Sequence, residues 1–321
     1  MTKKIVASLM VIALVGVLFV HPVFAHSFVK NSDADLIAKI QEFKVESKLI
    51  ANNISDSKMS HWHIAKSQEY WGLNDMNTLT QQNATLANSL STAINDLYSL
   101  SGSTNVDPTI ASQKSYALNQ LLDQVESTEI SASIQNNATV KSLAIINVLN
   151  QVLVDYGDAI GSNVDLTNMA NMNMSSMSMN NSSSVSSGSM SGMKGMSGMQ
   201  SGSMSGMSGM SSIIVDEAAY QSAQELTTTA QSMFQDLNSM APSSTSSYLD
   251  KIGTALGNLQ QAIGAKESGN NVMMIVHMYI HPNFISGLNI QVVPEFPMPI
   301  LLVMLSFISV IIITKALPKI R

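Results

Sequence analysis

Apolar residues between Asp35 and Ile54 fall at Leu36, Ile40, Phe43, Ile50 and Ile54. Spacings of three, four and seven lay them along one face of a helix. A segment from about Lys58 to Trp71 follows, carrying His61, Trp62, His63, Tyr70 and Trp71. Leu79, Leu86, Leu90, Ala93, Leu97 and Leu100 make the next stripe, ended by Gly102. Asp107-Pro108, a cap followed by a first-turn proline, opens a helix expected to turn Ile110, Ala117, Leu121 and Val125 inward. Val140 to Tyr156 is apolar on most sides and predicts the most buried helix of this half.

The helical period resumes at Ala219, Ala223, Leu226, Ala230, Met233, Leu237 and Met240. Ala241-Pro242 breaks it, and Tyr248 or Leu249, Ile252, Leu256, Leu259 and Ile263 restart it. A last short helix over about Asn271 to His281 is expected to stop at Pro282. Gly102, Asn136-Asn137 and Ser243-Ser244 read as turns between antiparallel neighbours. No stretch alternates with period two for long enough to predict a sheet. The expected class is all-α: an antiparallel helical bundle in two halves, residues 26–160 and 213–292, joined by a disordered Met/Ser/Gly-rich linker over 161–212. Three short helices bury a thin core, so the second half is expected to pack against the first.

Both ends carry membrane signals. Lys3 and Lys4, the apolar run Ile5 to Val20 and Val23-Phe24-Ala25 form an export leader over residues 1–25, and its removal leaves His26 as the first residue. At the other end, over residues 293–321, Val293-Pro294-Glu295-Phe296-Pro297 precedes an apolar run of 17 residues, Met298 to Thr314, and then Lys315, Lys319 and Arg321. Such a run spans about 25 Å, the short end of a transmembrane helix, and the basic residues at both ends orient the body outward. This tail resembles the PEF-type C-terminal sorting signals of archaeal surface proteins, although Pro297 stands where other versions carry glycine. The resemblance implies an exported, cell-surface, membrane-anchored protein whose tail is processed by an archaeosortase-type transpeptidase.

Charge narrows the partners. Charged residues make up 12% of the chain, and Arg321 is its single arginine. Removing residues 1–25 and 298–321 leaves 11 of the 16 basic residues against all 22 acidic ones, a net charge of −11. That balance excludes a nucleic-acid partner and suits cations. There are 0 cysteines, so disulfides and thiolate metal sites are ruled out.

The chemistry lies in the methionines. Residues 169–210 hold 12 of the chain's 23, set among Ser, Gly and Asn with Lys194 as the one charge. Met172-Asn173-Met174 and Met177-Ser178-Met179 come first, followed by Met190, Met193, Met196 and Met199, then Met204, Met207 and Met210. Methionine usually fills cores, and Ser and Gly cannot build one. A thioether is a soft, neutral ligand that selects copper(I) over zinc, calcium or magnesium. The pattern resembles the Met-rich extracellular tails of copper transporters and periplasmic copper-resistance proteins. The resemblance implies copper(I) bound by several sulfurs, and a copper-receiving partner protein.

Histidines suggest a second, folded site. His277 and His281 lie four apart on one helix face, with Met273 one turn earlier and Met274 and Met278 alongside. Met59 and His63 repeat that spacing on the earlier helix, so a site of His63, Met273, His277 and His281 requires the two helices to meet. The same Met stripe is equally what core packing produces. His61 and His63 point to opposite faces, and an N-terminal His26 offers an amine-and-ring chelate of the histidine-brace type, which known proteins mostly build on β-sandwiches. Glu42 with Glu46, and Asp155 with Asp158, read as solvated charge. Asn-x-Ser/Thr sequons occur at Asn53, Asn83, Asn137, Asn173, Asn180 and Asn181. No nucleophile elbow, phosphate loop or Glu-x-x-His pair is present, so an enzyme is not expected. Two functions compete: a surface-tethered protein that captures or buffers copper, and a structural or interaction module whose Met-rich stretch is an inert spacer.

Overall fold

The computed structural model describes residues 26–103, 106–171 and 211–294. The leader, the tail beyond Pro294 with its apolar run, and Met172 to Met210 lie outside the described residues. Among the described residues no helix is long and apolar enough to cross a membrane.

The helices are α1 Ser32–Asn52, α2 Ser57–Tyr70, α3 Leu73–Gln82, α4 Ala84–Tyr98, α5 Pro108–Glu129, the single turn α6 Ala132–Gln135, and α7 Ala138–Ala159. After the methionine tract come α8 Glu217–Met240, α9 Ser246–Gly264 and α10 Gly269–Met274, then a π-helical segment, Ile275–Ile280, that leads directly into α11 His281–Leu288. Short strands β1 His26–Phe28 and β2 Val292–Pro294 pair antiparallel, with His26 opposite Pro294. The strand pair and the helical body are two separate compact units, and residues 30–167 and 171–290 form the single helical body. The all-α class therefore holds, with one three-residue ladder that the hydrophobic pattern did not announce.

Caps explain where helices begin. Asn31, Asp56, Asn83, Asp107, Asn137 and Asp216 precede α1, α2, α4, α5, α7 and α8, and each side-chain oxygen accepts from a first-turn backbone N–H. Each such cap contributes about 1 kcal/mol. Asn83 also corrects the single stripe expected from Leu79 to Leu100: it leaves helical geometry there (φ −148°, ψ 84°) and splits the stripe into α3 and α4.

Helix α1 is the centre, packed on α2, α5, α7 and α8. Ile40, Phe43 and Ile50 of α1 join Leu79, Leu90, Leu97, Leu118 and Leu122 in one buried cluster. The α1–α5 seam runs antiparallel and mixes apolar and polar contacts: Gln41 donates to Glu126, Lys44 pairs with Asp123, and Ser47 Oγ donates to Asn119 Oδ1 at 2.7 Å. That seam turns α5 by one position from expectation. Ala111, Ser115, Leu118, Leu122 and Val125 face inward, while Ile110 and Ala117 face solvent and Leu121 is half-buried. The small Ala111 and Ser115 sit where α5 approaches α1, and Ser115 Oγ meets Ser47 Oγ at 3.0 Å. Helix α7 is buried along nearly its whole length, as its composition predicts.

Helices α7 and α8 are joined across the methionine tract: the Ala159 carbonyl accepts from Val215 N–H at 2.8 Å and from Asp216 N–H at 3.2 Å. Helix α7 ends in a Schellman turn, Ser162 N–H to Gly157 C=O and Gly161 N–H to Asp158 C=O, with Gly161 left-handed at φ 62°. Helix α9 ends in the same geometry, with Lys266 in the left-handed position at φ 57°.

The helix expected to stop at Pro282 continues to Leu288 and ends on left-handed Asn289. Proline in an α-helix loses one hydrogen bond and its ring collides with the carbonyl four residues back. Here the π segment supplies the wider turn that accommodates it. Helix α11 then lies close on α9, because a Cβ on Gly287 would sit 2.6 Å from Tyr248 Cβ.

Gly161→Ala is expected to cost about 1–2 kcal/mol by forcing a side chain into the left-handed region, and urea denaturation followed by circular dichroism measures it. Gly287→Ala is expected to cost a further, additive 1–3 kcal/mol or about that through overpacking against Tyr248.

Candidate functional site

At the centre of the body sits a buried polar cluster. His63 Nδ1 on α2 donates to Glu46 Oε2 on α1 at 2.7 Å, and Ser222 Oγ on α8 donates to Glu46 Oε1 at 2.8 Å. Lys66 Nζ, one turn beyond His63, lies 3.1 Å from Asp155 Oδ1 on α7, which also accepts from Gln151 Nε2 at 2.8 Å. Lys66 reaches Glu69 as well, at 3.5 Å, and its ammonium sits beside the Trp62 and Tyr70 rings. Glu42, one turn before Glu46, is buried too. Within this core His63 Nε2, Tyr70 OH, Trp71 Nε1 and Asp155 Oδ2 have no hydrogen-bond partner among the described residues. Buried polar atoms without partners cost about 1–3 kcal/mol each.

Three buried carboxylates, Glu42, Glu46 and Asp155, lie near one ammonium, and burial above all sets the protonation of Glu42 and Asp155. Burial, reinforced by the charge of Asp155, pushes Glu42 up from 4.5 to about 8. Burial also raises Asp155 to about 7, because desolvation outweighs the nearby Lys66. Burial alone would lower Lys66, but Asp155 and Glu69 raise it, so the ammonium stays charged. Desolvation, with Asp155 next, raises the Tyr70 hydroxyl far beyond its ordinary range. The cluster thus retains protons that an unfolded chain would release.

A second constellation lies on the π segment and the start of α11. The His277 and His281 rings meet edge to face, centroids 5.1 Å apart, and Met273 and Met274 are buried in the preceding turn. His277 Nε2 lies 3.1 Å from the Leu166 carbonyl. A carbonyl only accepts, so His277 Nε2–H is the donor in this contact.

Leu166 belongs to the stretch that leads from α7 into the methionine tract, and it packs against Gly157. The returning chain settles nearby. Ser212 N–H donates to the Lys266 carbonyl at 2.6 Å, and Ser212 Oγ donates to the Glu267 carbonyl at 3.2 Å. Tyr156 OH of α7 donates to that same Glu267 carbonyl at 2.5 Å. Both flanks of the tract therefore stand on the junction between α9 and α10, with His277 at the outgoing flank.

The sequence-derived candidates distribute as follows. His277, His281 and Met273 lie together on one helical run, Met274 is buried beside them and Met278 is exposed. His63 belongs to the Glu46 network instead, and its helix α2 packs chiefly on α1, whereas the π segment packs on α9 and α11. Met172, Met174, Met177, Met179, Met190, Met193, Met196, Met199, Met204, Met207 and Met210 lie outside the described residues. Among the described residues no three His, Asp or Glu side chains gather closely enough to hold a metal ion.

Glu42, Glu46 and Asp155 overturn their reading as solvated charge, while Asp158 is exposed as expected. The reason is that α2, α5, α7 and α8 cover most of α1, and α7, which carries Asp155, is itself buried along most of its length. A signal was present in the sequence: Lys66 and His63 on the next helix are the counter-groups that buried carboxylates require. No family model matches the chain, and neither a curated protein nor a solved structure matches it.

Stability should fall with rising pH. A group whose folded pKa is raised stabilises fully below its unfolded value and loses that contribution as pH climbs through the folded value. For Glu42 the window runs from 4.5 to about 8, and Asp155 acts in the same direction up to about 7. Calorimetry is expected to show Tm lower by roughly 5 °C at about pH 8 than at about pH 5. Glu42→Gln is expected to flatten that slope and raise Tm at the alkaline end, and a Tm that climbs over this range would contradict the assignment.

Proposed function

We propose that this chain is an extracytoplasmic, membrane-anchored protein that captures or buffers copper(I). The observation that carries the reading is the hydrogen bond from His277 to the Leu166 carbonyl, at the foot of the methionine tract. It puts the Met273–His277–His281 face beside the chain that carries the thioethers, which begin three residues beyond Leu166 at Met169. The imidazoles of His277 and His281 and the thioether of Met273, gathered on one helical run, are donor types suited to copper(I). Hard cations, which need several carboxylates, find no comparable group among the described residues.

Copper(I), when bound, would be held first by the tract's sulfurs. Thioethers carry no proton to displace, so their affinity does not depend on deprotonation. The His277 face offers stronger nitrogen donors at the base of the tract, which favours passage from tract to face. Anchoring is supported by the β1–β2 register, which sets His26, the first residue after the leader, opposite Pro294, the second residue of the sorting motif. Both membrane-directed segments thus leave the strand pair from the same end. An archaeosortase-type enzyme acting on the tail and a copper-receiving protein are the partners this reading implies.

The test is an anaerobic titration of the reduced full chain with copper(I) against a weak chromogenic chelator. Several ions are expected per chain, most of them lost on deletion of residues 169–210, and about one lost in the His277→Ala, His281→Ala double variant. No uptake in competition with the chelator would leave the tract an inert spacer in a structural surface module.

A further inference from the structure

We propose that Asn83 and Asn137 are attachment sites for N-linked glycans, and that the fold excludes Asn53. All three are sequons: Asn83-Ala84-Thr85, Asn137-Ala138-Thr139 and Asn53-Ile54-Ser55. The first two share one geometry. Each Asn is a helix N-cap in non-helical backbone, at φ −148°, ψ 84° and φ −85°, ψ 114°. Asn83 Oδ1 accepts from Leu86 N–H at 3.0 Å, and Asn137 Oδ1 accepts from Thr139 and Val140 N–H at 2.9 and 3.3 Å. A cap uses the carbonyl oxygen, so the amide nitrogen faces away from the helix. Replacing one amide hydrogen by a sugar leaves the cap intact. Thr85 and Thr139, the residues a transferase must also read, are exposed.

Asn53 is built differently. It closes α1 at φ −101°, ψ 17°, and its Nδ2 donates to the Leu49 carbonyl at 2.9 Å and to Gln221 Oε1 of α8 at 2.7 Å. Both amide hydrogens are engaged, and a glycan there would have to enter the α1–α8 contact. The need for glycan is physical as well: with 12% charged residues, the exported surface has little charge to keep it hydrated.

In the transfer, the amide nitrogen bonds to the anomeric carbon of an oligosaccharide carried on a lipid diphosphate. The carbon–oxygen bond to the diphosphate breaks, the lipid diphosphate leaves with the electron pair, and the amide proton passes to a base. The inference rests on the export reading, since this chemistry acts on exported chains.

The experiment uses the purified, folded full chain with a membrane oligosaccharyltransferase and its lipid-linked oligosaccharide. Trypsin separates the three sequons into peptides 49–58, 67–114 and 115–141, read by mass spectrometry. Peptides 67–114 and 115–141 are expected to carry glycan, with 49–58 modified about tenfold less or lower still, the effect of two hydrogen bonds that must first break. A synthetic peptide 49–58 in the same reaction is expected to accept glycan, which shows that the fold protects Asn53. Equal modification of Asn53 in the folded chain, or none at Asn83 and Asn137, overturns the proposal. Transfer at the two caps to a chain that fractionates with the cytoplasm of its host would instead remove the export reading.

Discussion

Glu46 is fully buried, and its two oxygens accept from His63 and Ser222, so one carboxylate holds α1 to α2 and α8 together. One turn along α2, Lys66 adds α7 through Asp155. Removing a single partner would leave a charge in a medium that cannot solvate it, which is far more damaging than loss of an exposed ion pair. These contacts are directional, whereas the surrounding Ile, Leu and Val contacts are not. They select one arrangement of four helices from the several that an apolar stripe alone would accept.

The same cluster gives the body an electrostatic character that its composition hides. A chain with few charges places three carboxylates, one ammonium and one imidazole in its interior. Desolvation and mutual repulsion then keep protons on Glu42 and Asp155 well above the range of free carboxylic acids. The interior is therefore coupled to pH.

The methionine tract acquires its meaning from how the helices that flank it are joined. Helix α7 ends and α8 begins at one place, where the Ala159 carbonyl receives the returning chain. Its returning flank stands on the α9–α10 junction through Ser212, and His277 of the π segment holds the Leu166 carbonyl on the outgoing flank.

Most helix positions and the cap at Asp107 were legible from the order of residues, because a period of three to four and an Asp-Pro pair before it are local properties. The expectation of copper(I) rests on residue type alone, since thioether softness needs no fold. Tertiary structure decided the rest. Which face of α5 points inward depended on how closely Ala111 and Ser115 allow α1 to approach. That Glu42, Glu46 and Asp155 lie inside depended on how α2, α7 and α8 pack against α1, which no single helix encodes. The π turn ahead of Pro282 and the bond between His277 and Leu166 join residues whose relation is spatial. His63, which shares the Met-to-His spacing of the later helix, was claimed by Glu46 instead, because a buried carboxylate takes the nearest ring N–H that can reach it.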